Sequence, residues 1–455
     1  MTIFEAKTVD SKLLEGVKSL IDQQDHVALE KIIHTMKPAD VADLIEHSGK
    51  DEGLFIFRLL GPEGAGEVLM EIEPPFQERI LKELDSEAIS QIVEELDSDD
   101  AADVVGDLPA KRAREVIEAV GDEVSEELEK LLPYPEDTAG GIMALEFVSV
   151  KAGATVRDAI ESIREKREQV ENLYYIWVTD NYQKLVGLIS LKDLVLESPD
   201  TQISELMDPE VISINVKTDQ EEVIHLAKRY DLVNIPVVDD SYRLVGRITH
   251  DDIIDVIEEE VDEDMSLMAG VIDQEITEAS TLKISRARLP WLVAALFGGV
   301  LAAFIINQFE SALEELIALS FFFPVIMAMG GNTGTQAATV VVRGLATGDI
   351  SLMNVGQRLW MELRVALING LICGLILGLI VGCWLKNFRL ALIVNLALIL
   401  IVLLSGLIGS AIPLLLKKLN VDPALASGPF VTTTNDILSL LIYLGLVTVL
   451  LHTPV

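Results

Sequence analysis

RARLPWLVAALFGGVLAAFIINQ, residues 286–308, is the stretch at which the chain changes character. Two arginines lead into an apolar run close to the roughly 20 residues that an α-helix needs to cross a bilayer core of about 30 Å. We place this span at 289–308 and four more at 316–341, 359–384, 388–416 and 426–451. The charge divides at the same place. Of a net −38 over 455 residues, residues 283–455 hold 10 Lys and Arg against 7 Asp and Glu, while residues 1–282 hold 25 against 66. An acidic soluble part fused to an apolar membrane part reconciles that charge with a mean hydropathy of +0.38.

The balance of −41 in the soluble part repels phosphate and argues against a nucleic-acid partner. It attracts cations, although an acidic surface also serves solubility alone. Cys373 and Cys383 fit no metal spacing or disulfide framework and read as packing residues. The six histidines are scattered without an HxxxH pair and no nucleophile–base constellation appears, so an enzyme is not expected. The start, MTIFEAKTVDSKLLEG, lacks a basic region followed by an apolar stretch, which places the acidic part in the cytosol. With five spans, Lys283, Arg286, Arg288, Arg343, Arg358, Lys417 and Lys418 then lie inside and only Lys386 and Arg389 outside. The positive-inside rule agrees with a cytoplasmic N-terminus, and an odd number of spans puts the C-terminus outside a cell (inner) membrane.

Residues 1–132 read as all-helical, with a repeat in which LDSEAISQIVEEL, LDSDDAADVVGDL and LPAKRAREVIEAV begin at Leu84, Leu96 and Leu108, a constant interval. Short helices stacked in a superhelical array would produce it. Over 133–258 the pattern becomes tandem α/β: QKLVGLISLKDLV (183–195) matches YRLVGRITHDDII (242–254) at an offset of 59. Residues 259–284 form an acidic connecting segment, and 285–455 form the helical membrane domain.

Ionisable groups inside a span are costly and usually functional. Asp436 lies about ten residues into the last span, after Thr432, Thr433, Thr434 and Asn435. A carboxylate among hydroxyls and amides suits a hard cation, and the alternative is a packing hydrogen bond to a neighbouring helix. In GGNTG (330–334), Gly331 and its neighbours either break the helix or let backbones approach, while Asn332 and Gln336 share one helical face and read as pore wall. Because Mg²⁺ sheds water reluctantly, one carboxylate with neutral oxygens could hold the hydrated ion, and a symmetric homodimer would offer two such carboxylates at its axis. Co²⁺ or Mn²⁺ transport and ion-coupled exchange compete with this reading, whereas soft metals would want Cys, Met or His in the spans. A second acidic cluster gathers Asp219, Glu221, Asp231, Asp251, Asp252, Asp255, Glu258–Glu260 and Asp262–Asp264 beside the membrane. Cations bridging these carboxylates would favour one arrangement over another, a regulatory mechanism; the alternative is a solvated acidic face.

Several of these stretches together resemble the MgtE-type magnesium channels over essentially the whole chain. They are YPEDTAGGIM (134–143), DLVNIPVVDDSYRLVGRITHDDIIDVIEEE (231–260), PVIMAMGGNTGTQAATVVVRGLATGDI (324–350) and VDPALASGPFVTTTNDILSLLIYLGL (421–446). The resemblance implies a homodimer with a helical N-domain, a CBS pair, a connecting plug helix and a five-helix pore domain. It implies Asp436 as pore carboxylate and Asp219, Glu221, Asp231, Asp252, Asp255, Glu260, Glu263, Asp264 and Asp422 as holders of regulatory magnesium that closes the pore. Asp99, Asp100 and Asp103 are the N-domain candidates. Adenine nucleotide in the CBS cleft is a further implication, without a sharp residue signature here.

Overall fold

The computed structural model describes residues 11–23, 25–167, 173–271, 281–347, 350, 355–426 and 428–452. The chain divides into two compact units, Met1–Ile257 and Glu258–Val455.

In the first unit ten short helices, α1 to α10, run between Ser11 and Leu131. From α2 onward they start at His26, Pro38, Lys50, Pro62, Pro74, Ser86, Ser98, Ala110 and Asp122, at the same interval as the three sequence copies. The repeat expected from those copies therefore extends over nine helices among the described residues. Its cause is an apolar pair in the second turn, Leu44–Ile45, Ile56–Phe57, Val68–Leu69, Ile80–Leu81, Ile92–Val93 and Val104–Val105, buried throughout. The helix starts are chemically varied, which hides the period. Asp25 and Asp85 accept from backbone N–H groups in the first turn, whereas Pro38, Pro62 and Pro74 occupy positions whose N–H would be unpaired anyway. Helices two apart stack: α3 (Pro38–Glu46) on α5 (Pro62–Met70), α5 on α7 (Ser86–Val93), α7 on α9 (Ala110–Ile117), and α8 (Ser98–Gly106) on α10 (Asp122–Leu131). This is the superhelical array.

Two three-stranded sheets follow. β1 (Ser149–Lys151) runs parallel to β2 (Tyr175–Thr179), which pairs antiparallel with β3 (Leu185–Ser190). β4 (Ile214–Asn215), β5 (Ile235–Val238) and β6 (Leu244–Ile248) repeat the order, and register slips at equivalent points, Val178/Thr179 and Val237/Val238. The matched turns show why the sequence repeats. Asp180 Oδ1 accepts from the N–H groups of Tyr182 and Lys184 at 2.7 and 2.9 Å, and Asp239 Oδ1 from Ser241 and Arg243 at 2.8 and 2.9 Å. These bonds support Gln183 and Tyr242 at φ 63° and 66°, a left-handed conformation that costs a non-glycine residue roughly 1–2 kcal/mol. The turns also join the two copies, because Leu185 N donates to Tyr242 O and Leu244 N to Gln183 O, both at 3.1 Å. Trp177, Leu185, Val238 and Leu244 form the shared core. Helices α11 (Val156–Glu165), α12 (Leu191–Leu196) and α13 (Ile203–Leu206) belong to the first copy, and α14 (Gln220–Tyr230) and the start of α15 (His250–Ala269) to the second.

The expected boundary at 258/259 falls within α15, which is continuous, and residues 272–280 of the expected connecting helix lie outside the described residues. Among the described residues of the second unit five helices are long and apolar enough to cross a membrane: α16 (Thr281–Gln308), α18 (Phe323–Ala346) with the 3₁₀ turn before it, α19 (Val355–Leu385), α20 (Phe388–Lys418) and α21 (Pro429–His452). The short α17 (Glu310–Glu315) follows the first. The second span was expected to be helical from 316, but Ile317–Phe322 is a 3₁₀ turn and α18 begins with Pro324 in its first turn. Half of the most apolar window of α20 is buried against 6% for α16, so α20 is the centre of this bundle and α16 its periphery. Cys373 packs beside that core and Cys383 is exposed.

Candidate functional site

α21 carries Thr432, Thr433 and Asp436 on one side, and these line a cavity of about 460 Å³. Opposite them lie Ala295, Gly298, Gly299 and Ala302 of α16, Thr335 of α18, and Met268 and Ala269 at the end of α15. The small residues recur three or four apart and give α16 a face that α21 can approach closely. A methyl group on Gly298 would collide with the Thr433 methyl, and one on Gly428 would stand 2.8 Å from Met268 O. Asp436 is half-buried and, among the described residues, is the one ionisable group in this lining; the other side-chain oxygens are the hydroxyls of Thr335, Thr432 and Thr433.

Gly331 is buried beside the cavity: a methyl there would stand 3.6 Å from Asp436 Oδ1 and 3.5 Å from the Thr432 methyl. Asn332 and Gln336 share a face as their spacing requires, but that face is exposed in the single chain and does not line the cavity. A turn of about 100° per residue leaves Gly331 and Thr335 facing α21 instead. α18 is unbroken through its glycines. Gly330 and Gly334 are close-approach positions against α20 and α21, so these carbonyls stay within the helix. Sequence reasoning missed the small face of α16, for which the spacing 295, 298, 299, 302 was the signal. It also left Arg358 in a loop, whereas Arg358 Nη2 donates to Glu362 Oε2 at 3.1 Å within α19, both side chains being largely buried.

The second site lies in the first unit, where α8 meets the start of α15. Asp99 is buried and its Oδ1 accepts from Asp100 N at 3.0 Å. Burial first, and the Asp252 charge next, push the Asp99 carboxyl well above the usual carboxylate range. Burial raises Asp100 to about 7, helped by Asp252, Asp97, Asp251 and Asp255. Asp252 is raised by burial, against bonds donated by Thr249 N and Oγ1, which are the counterparts of the Ser190–Asp193 pair in the first copy. Asp252 thus also caps α15. Next to this cluster Ser98 N and Oγ donate to Glu146 at 3.2 and 2.8 Å, and Leu145 N donates to Ser98 Oγ at 2.8 Å.

The remaining expected ligands lie on several elements, some in each unit. Asp219 is exposed and accepts from Glu221 N at 2.9 Å, capping α14, and Asp231 is that helix's left-handed C-cap at φ 52°. Asp103 and Asp255 are exposed on α8 and α15; Glu260, Glu263 and Asp264 lie further along α15, on one face by their spacing. Asp422 Oδ1 accepts from Ala424 N at 2.8 Å before α21. Among the described residues no three His, Cys, Asp or Glu side chains are disposed to hold a metal ion directly. An ion that keeps most of its water does not need such a cage.

A cytoplasmic array and a tandem α/β pair ahead of five membrane helices, with one carboxylate in a cavity among them, define a multi-pass cation-transport protein. Three family models match: the MgtE intracellular N domain at 36–137, the CBS domain at 139–200 and 203–259, and the MgtE divalent cation transporter at 323–446. The chain is 36% identical over 449 residues to the magnesium transporter MgtE of Thermus thermophilus, covering 98% of this chain and 100% of that one. It is 38% identical over 328 residues to its namesake in Bacillus subtilis, covering 72% and 73%. A crystal structure of the cytosolic domain of the Mg²⁺ channel MgtE in complex with ATP matches 54% of this chain and 100% of that one, at 35% identity and a TM-score of 0.51. The chain belongs to the MgtE family of divalent cation transporters.

Proposed function

We propose that this protein conducts magnesium down its electrochemical gradient through a homodimeric pore and is closed by magnesium on the cytosolic side. The observation that carries the first part is the cavity at Asp436. Six waters at about 30 Å³ each occupy ~180 Å³, so a hexahydrated ion fits in about 460 Å³. One carboxylate attracts the cation and the neutral threonine hydroxyls accept or donate to its water shell, so the ion is held without being stripped. At about 4.5 Å and an effective dielectric of about 20 that attraction is ~7 kcal/mol before desolvation, enough to concentrate the ion. All these ligands are hard oxygens, which favours magnesium over softer metals.

Closure draws support from the cluster of Asp99, Asp100 and Asp252. Carboxylates gathered by the fold repel one another, and a divalent cation among them favours the arrangement that gathers them. Asp103, Asp219, Glu221, Asp231 and Asp255 of the first unit, and Glu260, Glu263, Asp264 and Asp422 of the second, are the further carboxylates that would take part in holding regulatory magnesium. Adenine nucleotide, bound by the cytosolic domain of a relative, is the expected ligand of the CBS pair. The C-terminus lies outside.

Magnesium flux into proteoliposomes, with and without an imposed potential, tests the central claim. Potential-driven flux with no coupled ion is the expected result; a requirement for a counter-ion gradient makes the protein an exchanger instead.

A further inference from the structure

The side of α21 that flanks the cavity and faces α18 and α20 carries Val431, Asn435 and Ser439, one turn apart and all buried. It packs on glycines. A methyl group on Gly334 would overlap the Asn435 amide nitrogen, and it would stand 2.9 Å from Asn435 Cγ and 3.2 Å from Val431. One turn away, a methyl on Gly330 would strike the Ser439 hydroxyl and stand 3.3 Å from Ser405 Oγ. α18 has no room to retreat, since its Gly334 carbonyl already abuts Gly409 of α20. The Asn435 carboxamide is fully enclosed, and among the described residues neither its nitrogen nor its oxygen meets a hydrogen-bond partner. Each such group costs roughly 1–3 kcal/mol, so what the side chain contributes here is shape.

Asn435 and Asp436 are consecutive on one helix and therefore about 100° apart around its axis. The cavity side of α21 meets α16 where Thr433 sits on Gly298 and otherwise borders open space, whereas the side on α18 and α20 is packed at every turn from Val431 to Ser439 and holds the helix's rotation. We propose that Asn435 is a positioning residue for the ion carboxylate: its flat amide, seated in the notch at Gly334, fixes the rotation of α21 and so aims Asp436 into the cavity. The inference rests on reading Asp436 as the ion-binding group. With the carboxylate roughly 6 Å from the helix axis, a rotation of about 20° displaces it by ~2 Å, a large error for a group that holds an ion through water.

The test uses the full chain in proteoliposomes, with Cys373→Ala and Cys383→Ala and a reporter introduced by Thr433→Cys or Thr434→Cys. A water-soluble methanethiosulfonate reads which position faces the cavity. Gly334→Ala is expected to cut magnesium flux at least tenfold and to slow labelling at 433 at least fivefold while speeding it at 434. Adding Asn435→Ala, which empties the space the new methyl needs, should restore both to within twofold. Should Gly334→Ala not yield folded protein, Asn435→Gln, one methylene too long for the notch, should shift labelling in the same way. Unchanged labelling in either variant, or a double variant that does not recover, overturns the proposal. Asp436→Asn separates the two levels: if it keeps its flux, the pore assignment is wrong, and labelling alone decides the positioning role.

Discussion

Replacing Asp100 by asparagine removes one charge from the place in the first unit where α8 meets the start of α15. In the native chain that carboxyl rises from 3.8 to about 7, chiefly through burial and then through Asp252, Asp97, Asp251 and Asp255. A carboxyl whose folded pKa lies above its unfolded value binds its proton more tightly in the folded chain. Its stabilisation is therefore complete below about pH 4 and is lost as the pH climbs through about 7. A rise of roughly three units sets a ceiling of ~4 kcal/mol. The part of this that falls between pH 5.5 and 8 is about 2 kcal/mol, or roughly thirtyfold in the equilibrium for opening this contact. Hydrogen exchange of the α8 amides in the full chain, corrected for the intrinsic pH dependence and measured in chelator, reads that opening directly. The wild type should lose about thirtyfold or more in protection between pH 5.5 and 8, and magnesium at pH 8 should restore it. Asp100→Asn, which keeps Asp99 and Asp252, should lose roughly thirtyfold less than the wild type over the same range and gain less from magnesium. A wild type equally protected at both pH values, or a variant with the full loss, would refute the electrostatic account.

Asp436→Ala should abolish magnesium flux in proteoliposomes while the protein still elutes as a single folded species; wild-type flux in the variant removes Asp436 from the pore. Neutralising Asp252, Asp255 and Glu260 together should leave flux running at internal magnesium concentrations that stop the wild type, and an unaltered inhibition curve argues against the sensor. Ser98→Ala strips Glu146 of a hydroxyl partner and Leu145 N of its acceptor. It should cost about 1–2 kcal/mol in local opening around residues 98 and 146, measurable by the same exchange experiment.

The five spans were legible because length and hydropathy are properties of a single stretch. The 59-residue repeat was legible because each copy must build the same turn, with Asp180 or Asp239 holding a left-handed residue three positions on. The helical array was read over only a third of its extent, since the buried pairs such as Leu44–Ile45 are constant while the residues that start each helix are not. Asp436 stood out as a charge in a span. Local spacing put Asn332 and Gln336 on a common face, which is exposed in the single chain; what that face meets in an assembly depends on contacts between chains, which no local pattern carries. The contact of Ser98 with Glu146, far apart in the chain, has no local signature at all.

The constant spacing of the helix starts also makes the N-domain a ruler with coarse graduations. Gaining or losing one whole repeat adds or removes one helix and returns every later apolar pair to its inward phase. A change of half a repeat would turn the following pairs outward. A whole repeat added ahead of Pro38 would leave the order of the helices from α3 to α8 as it is, and with it the contact of Ser98 with Glu146.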